Sequence, residues 1–139
     1  MASKHLSIRM EPESLARLDR ESLRMRLSRS EVARTLLEEG LRMEAHPGIV
    51  FKPGPAGRRP AVIAGPDVWE IIGGFPDRRV AEEGIAFVAQ IAALSERQVR
   101  DAVRYYLEFQ DEIDAWIKSN DEEAERAYAE WLRHQTLLK

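Results

Sequence analysis

The stretch KHLSIRMEP, from Lys4 to Pro12, alternates polar and apolar residues and ends where a helix can begin. A period of two is typical of a β-strand, whose successive side chains point to opposite faces. One face of this strand carries three polar residues and the other three apolar ones: His5, Ser7 and Arg9 against Leu6, Ile8 and Met10. The following residues have helical patterns, so the sequence offers the strand no partner nearby in its own chain.

Two helices are predicted after the strand. Glu11-Pro12-Glu13 suits a helix start, because proline fits the first turn and acidic side chains favour the positive end of the helix dipole. A second start lies in RLSRSEVAR (26–34), where Ser28 can cap a helix and Glu31 completes a capping box. One strand and two helices bury too little apolar surface to fold alone. We therefore expect two copies to pair their strands antiparallel across a two-fold axis.

An intermolecular ribbon of this kind would expose the polar face of both strands. It fits the DNA major groove, where Arg can bind guanine and Ser or His can bind base edges. The N–H groups that open the second helix can hold a backbone phosphate. The sequence thus predicts DNA contacts by His5, Ser7, Arg9, Ser28, Arg29 and Ser30. The alternative is a dimerisation module that never touches DNA.

Residues 5–43 resemble a ribbon-helix-helix repressor of the kind found in bacterial antitoxins. The alternating strand, the helix opening and the LSRSEVAR turn all stand where that family has them. The resemblance implies base contacts from alternating strand residues and phosphate contacts at the turn.

The middle of the chain resembles a domain of unknown function in VapB-like antitoxins. His46-Pro47-Gly48-Ile49, Gly57-Arg58 and the helix LSERQVRDAVRYY (94–106) carry this likeness. Members of that family are often encoded beside a PIN-like ribonuclease toxin. The resemblance therefore implies a cognate toxin of that class as a partner.

Residues 46–66 are rich in proline and glycine and cannot be helical throughout. Ile49-Val50-Phe51 and Ala61-Val62-Ile63-Ala64 are short apolar runs on either side of a Gly/Pro turn, which predicts a small hairpin. A flexible linker is the alternative.

After residue 66 the pattern is helical, and Ser95 is the expected N-cap of one of these helices. The outer side of that helix carries side chains of the types that contact a DNA groove or phosphate: Arg97, Gln98, Arg100 and Arg104. Of these, Arg97 and Arg100 are the candidate DNA contacts. Because Glu96 and Asp101 stand among them, an ordinary solvated helix face is the alternative.

The tail, residues 111–139, combines an apolar stripe with acidic charge: four Lys/Arg against eight Asp/Glu, a net of −4. Trp116, Tyr128 and Trp131 have the spacing of aromatic anchors that seat an amphipathic helix in a partner's groove. The acidic residues would complement a basic RNA-binding cleft. Packing of the stripe on the chain's own bundle is the alternative. One long helix and two short ones both fit, since Asn120 with Glu123 can restart a helix.

Composition excludes several classes of protein. The 139 residues contain no cysteine, which rules out disulfide and thiolate chemistry and fits a reducing cytoplasm. No run of eighteen apolar residues predicts a membrane span, and no secretory signal is readable. The histidines are far apart, and there is neither a phosphate-binding glycine loop nor a nucleophile elbow. We therefore predict no enzyme, no metal site and no cofactor.

The sequence thus predicts a mainly α fold in three segments: a ribbon-helix-helix DNA-binding and dimerisation domain (1–45), a hairpin with a helix-turn-helix-like bundle (46–110), and an acidic amphipathic tail that binds a toxin (111–139). The expected function is a cytoplasmic type II antitoxin that neutralises a PIN-like ribonuclease and represses its own operon. It would act as a homodimer or higher homo-oligomer on operator DNA. The alternatives are a stand-alone transcriptional repressor with no toxin, and an interaction scaffold that does not bind DNA.

Overall fold

The computed structural model describes residues 2–138. Its regular elements, in chain order, are the helices α1 (Pro12–Met25) and α2 (Arg29–Ala45), the strands β1 (Ile49–Lys52) and β2 (Arg59–Val62), and the helices α3 (Val68–Gly73), α4 (Ile85–Ala92), α5 (Glu96–Glu108) and α6 (Gln110–Leu137). Two short 3-10 turns, Pro76–Arg78 and Glu82–Gly84, connect α3 to α4. The chain divides into two compact units, the first ending at Glu44 and the second beginning at Ala45.

The expected fold class is wrong at the N-terminus. Residues 2–11 form no strand, and the hairpin of β1 and β2 is the only sheet within residues 2–138. The expected order of an N-terminal ribbon followed by a hairpin is therefore not found, because the first regular elements of the described chain are the helices α1 and α2. A strand exists only where a neighbour completes its hydrogen-bond ladder. β1 and β2 pair with each other, and an alternating pattern alone does not supply a ladder to residues 4–10.

The two helices of the first unit begin and end as their residues dictate. Pro12 and Glu13 stand in the first turn of α1, and Arg26 ends the helix in the left-handed conformation, with φ of 57°. The amide of Arg26 donates to the Leu23 carbonyl, so the close of the helix is hydrogen-bonded without a glycine. The Ser28 hydroxyl then accepts the amide of Glu31 at 3.1 Å, which is one half of the predicted capping box.

The predicted hairpin is confirmed and forms one wall of the second unit. β1 and β2 pair antiparallel, with Ile49 opposite Val62 and Lys52 opposite Arg59. The buried core joins this hairpin to the helices through Ile49, Val62, Val68, Ile71, Ile72, Phe75, Ile85, Val88, Val99, Ala102, Tyr105 and Ile113. The expected N-cap of α5 is also confirmed, since Ser95 and Gln98 form a reciprocal capping box.

The tail is one continuous helix, which decides between the two arrangements that the sequence left open. α6 runs for 28 residues, and Ile113 near its start is its one buried side chain. Ile117, a turn further on, packs on the core of the second unit. The Tyr106 hydroxyl donates to Asp114 at 2.8 Å. The first two turns of α6 are therefore held by the core.

A buried carboxylate connects β2 to α3. Asp67 accepts from Arg59 Nε at 2.5 Å and from Trp69 Nε1 at 3.1 Å. The Asp67 side chain is only 6% exposed, whereas the Arg59 side chain is 25% exposed. Water therefore has little access to the Asp67 carboxylate. Breaking an ion pair that is shielded from water in this way lowers stability more than breaking an exposed one.

We expect Asp67→Ala to lower the free energy of unfolding by about 2 kcal/mol, because Arg59 loses its counter-charge while still largely covered. This loss of stability is smaller than that expected for a fully buried pair, because Arg59 is partly exposed and water can still solvate its charge. Urea unfolding of the variant measures it. Asp121→Ala, which removes an exposed ion pair with Arg78, is the matched control and should cost much less. An equal loss in both variants would show that Asp67 has no special structural role.

Candidate functional site

The polar residues of the N-terminal arm, residues 2–11, are exposed. His5, Ser7 and Arg9 all lie in solvent, but so do their apolar neighbours, with Leu6 67% exposed. The arm therefore has no buried face within its own unit. Beside it lies an open groove of about 570 Å³, lined largely by apolar side chains: Leu6, Ile8, Met10, Leu18, Ala33, Leu36 and Leu37.

The turn before α2 is engaged in contacts within the chain. Arg29 donates to Asp19 through Nε at 2.8 Å and Nη2 at 3.0 Å. This pairing lowers the pKa of Asp19 and raises the pKa of Arg29. Ser28 is occupied by the Glu31 amide, and Ser30 is exposed. A phosphate that binds Arg29 here must therefore share it with Asp19.

The two arginines that the sequence grouped on α5 point to different surroundings. Arg100 forms a two-armed ion pair with Glu82, at 2.5 and 3.0 Å, which lowers the pKa of that carboxyl. Arg97 instead lines an open groove together with Arg104. The sequence places Arg104 on the outer side of this helix with Arg97 and Arg100, although only Arg97 and Arg100 are taken there as DNA contacts. Helical spacing groups Arg104 with Arg97, because residues seven apart lie on the same face of a helix.

The three aromatic residues of the tail also differ in their exposure to solvent. Trp116 is half-buried and lies in the part of α6 that the core holds, whereas Tyr128 and Trp131 are 61% and 54% exposed. The rings of Tyr128 and Trp131 stack with centroids 5.9 Å apart and planes 20° from parallel. The structure thus places two of the predicted partner-binding residues together and the third elsewhere.

We call residues 122–137 the distal half of α6, and every one of them is exposed in this unit. Four acidic residues flank its aromatic pair: Glu122, Glu123, Glu125 and Glu130. Two basic residues, Arg126 and Arg133, accompany them. Asp121, just before this segment, accepts from Arg78 at 2.5 and 3.0 Å, and the pairing lowers its pKa. The Arg78–Asp121 ion pair therefore joins α6 to the segment after α3 immediately before the distal half.

Within residues 2–138, no group of three or more His, Asp or Glu side chains is placed to hold a metal ion. No helix in that range has the length and apolar character needed to cross a membrane. Comparison of the chain with protein-family models, with characterised proteins and with solved structures finds no match. The functional inference therefore starts from the exposed surfaces of the chain itself.

Proposed function

We propose that this chain is an antitoxin, which binds a ribonuclease toxin through the distal half of α6 and represses its own operon through its N-terminal unit. The observation that carries the proposal is the stacked, exposed pair Tyr128 and Trp131 on a helix segment in which every residue is exposed. Large aromatic side chains dominate the binding energy of protein interfaces.

The distal half of α6 has the pattern of a helix that binds in a groove. Its apolar residues recur at the intervals i, i+3, i+4, i+7 and i+8, in Ala124, Ala127, Tyr128, Trp131 and Leu132. Residues at these intervals form one continuous stripe on a helix. Helical segments of this length gain most of their stability from packing of an apolar face, so a partner that covers the stripe would also stabilise the helix.

The charge on this segment indicates the chemistry of the partner. Four of residues 122–137 are acidic and two are Arg, so the surface beside the stripe is net negative. A complementary partner has an apolar slot rimmed by basic side chains. An enzyme that cleaves RNA needs such a basic cleft to hold phosphates. An acidic helix seated there would block the cleft, which is a direct means of neutralisation.

The DNA-binding half of the proposal rests on the exposed arm. Lys4, His5, Ser7 and Arg9 stand within six residues, all exposed, and none of the four has a hydrogen bond or ion pair among the described residues. Unstructured basic arms can enter a DNA groove and read base edges. Ser30 and the shared Arg29 lie at the start of α2, where helix N–H groups favour phosphate.

For Arg9→Ala we expect specific DNA affinity to fall by roughly 1–3 kcal/mol, with the loss concentrated at one base position. The reason is that an arginine reading a base edge discriminates at that base alone. Fluorescence anisotropy against a set of single-base variants of the bound duplex measures this. An equal loss on every duplex would make Arg9 a phosphate contact.

The toxin half is tested by recovering partners from the native host with the full chain and with a chain that ends at Glu122. This end point keeps Ile113, Ile117 and the Arg78–Asp121 pair, so the core of the second unit remains intact. We expect a small protein, identified by mass, to be retained by the full chain alone. Retention of the same proteins by both chains would overturn the assignment of α6.

A further inference from the structure

We propose that a second DNA contact lies in the second unit, where Arg97 and Arg104 bind different phosphates of the DNA backbone at a groove beside α5. This inference rests on the proposed function, since it takes DNA as a ligand of the chain. It adds a binding site outside the N-terminal unit. It also replaces the sequence-based pair of Arg97 and Arg100 by a pair that shares one groove.

The groove has a volume of about 610 Å³ and is open to solvent on one side. One wall is the segment Ala45–Gly48 together with Ile63, and the other is the face of α5 that carries Arg97, Gln98, Asp101 and Arg104. The lining combines these polar side chains of α5 with the apolar Ala45, Pro47 and Ile63. A groove of this composition suits a ligand that has both charged groups and flat, less polar parts.

The two arginines differ in how they are held. Arg104 donates to the Asp101 carboxylate from one nitrogen of its guanidinium, which orients the group and leaves its remaining N–H donors free. Arg97 has no hydrogen bond or ion pair with any other described residue. Both side chains are exposed. They are therefore positioned to donate to an incoming anion without first breaking a two-armed pair of the Arg100–Glu82 type.

The wall opposite fixes the position of the one carboxylate that lines the groove. A Cβ atom at Gly48 would lie 2.2 Å from Asp101 Oδ2, so the backbone approaches this side chain as closely as only glycine allows. His46 is turned to Glu108, with Nε2 2.6 Å from the carboxylate, and its ring packs edge-on against Tyr105. Asp101 is thus confined beside Arg104.

The net charge of the groove fits a phosphodiester better than an acidic peptide. The lining carries two positive charges and one negative charge, a formal sum of +1 with His46 neutral. Each phosphodiester brings a single charge. A peptide with several carboxylates would place them near Asp101. The two arginines carry too little positive charge to offset both Asp101 and several added carboxylates. Arg97 also lies in the first turn of α5, where the helix dipole favours an anion.

The spacing of the arginines suits a nucleic acid strand. Arg97 and Arg104 are seven positions apart on α5, a rise of about 10 Å. The two guanidinium groups can therefore contact different phosphates along one strand. Contacts of this kind add affinity without adding sequence preference. The site would therefore strengthen binding to every duplex while the N-terminal arm selects among them.

The test compares the salt dependence of DNA binding in variants of the full chain that lack one or two arginines of α5. The probes are a duplex from immediately upstream of the chain's own coding sequence and a scrambled duplex of equal composition. For the double variant Arg97→Gln with Arg104→Gln, we expect the affinity lost between 50 and 200 mM salt to shrink by roughly tenfold on both duplexes, because two counterion-releasing contacts are gone. Arg100→Gln is the control: it removes one positive charge from the same helix outside the groove and should keep the wild-type slope.

Several results would overturn the proposal. If the double variant keeps the slope of Arg100→Gln while the wild type binds, the groove proposal falls and the DNA-binding function stands. If a poly-glutamate peptide binds the groove and duplex DNA does not compete with it, the ligand is a protein. If the wild type binds neither duplex at 50 mM salt, the DNA-binding half of the proposed function falls with the groove. Equal thermal unfolding of all variants excludes misfolding as the cause.

Discussion

Replacing Trp131 by alanine is expected to weaken binding of the toxin by at least 30-fold, which corresponds to about 2 kcal/mol or more. Trp131 carries the largest ring on the distal half of α6, and half of it is exposed in the free chain. Its burial in a partner's slot would remove that surface from water, and its stacking on Tyr128 holds the ring ready for contact. Titration calorimetry with the protein recovered from the host measures the affinity.

The control for this substitution is Phe87→Ala on α4. Phe87 is also a half-exposed aromatic residue, but it lies outside α6. We expect this variant to bind the toxin as the wild type does. Tyr128→Ala should lose affinity too, and the double variant should lose less than the sum because the two rings are in contact. Wild-type affinity in Trp131→Ala would remove the aromatic pair from the interface.

Replacing Ile113 by alanine should lower the free energy of unfolding of the second unit by about 3 kcal/mol. Ile113 is fully buried and is the one buried side chain of α6. Its truncation leaves a cavity that the hairpin and α5 cannot fill, since they are already packed on the same core. Urea unfolding followed by circular dichroism gives the change, together with the slope that reports exposed area.

Leu137→Ala is the matched control for the core substitution. Leu137 belongs to the same helix and is 83% exposed, so its loss should leave unfolding nearly unchanged. If Ile113→Ala unfolds at the wild-type urea concentration, the start of α6 is not part of the core. The distal half could not then be treated as an extension of a fixed helix.

The parts of the fold that the sequence predicts well are those specified by neighbouring residues. The hairpin follows from two apolar runs around a Gly/Pro turn, and the start of α5 follows from Ser95 and Gln98, whose side chains satisfy the first amides of the helix. Both features depend on local hydrogen bonds that the same few residues make. Helical periodicity likewise predicts that the tail is helical.

The N-terminal strand shows where such reasoning fails. An alternating pattern states which side chains share a face, but a strand also needs a partner for its backbone, and residues 4–10 have none in the described chain. The different environments of Arg97 and Arg100 could not be predicted from the sequence either. Glu82, which pairs with Arg100, lies eighteen residues away in sequence. Trp116 and Trp131 lie on one helix, and their different exposure depends on where the core of the second unit meets that helix. The sequence of the helix does not contain this information.

The most direct test of the antitoxin proposal is the ribonuclease activity of the protein recovered from the host, measured on single-stranded RNA with increasing amounts of the full chain. The proposal predicts that activity falls to background at a stoichiometric amount of the full chain, and that the chain ending at Glu122 leaves the activity unchanged. Full activity in the presence of excess full chain, or equal inhibition by both chains, would contradict it.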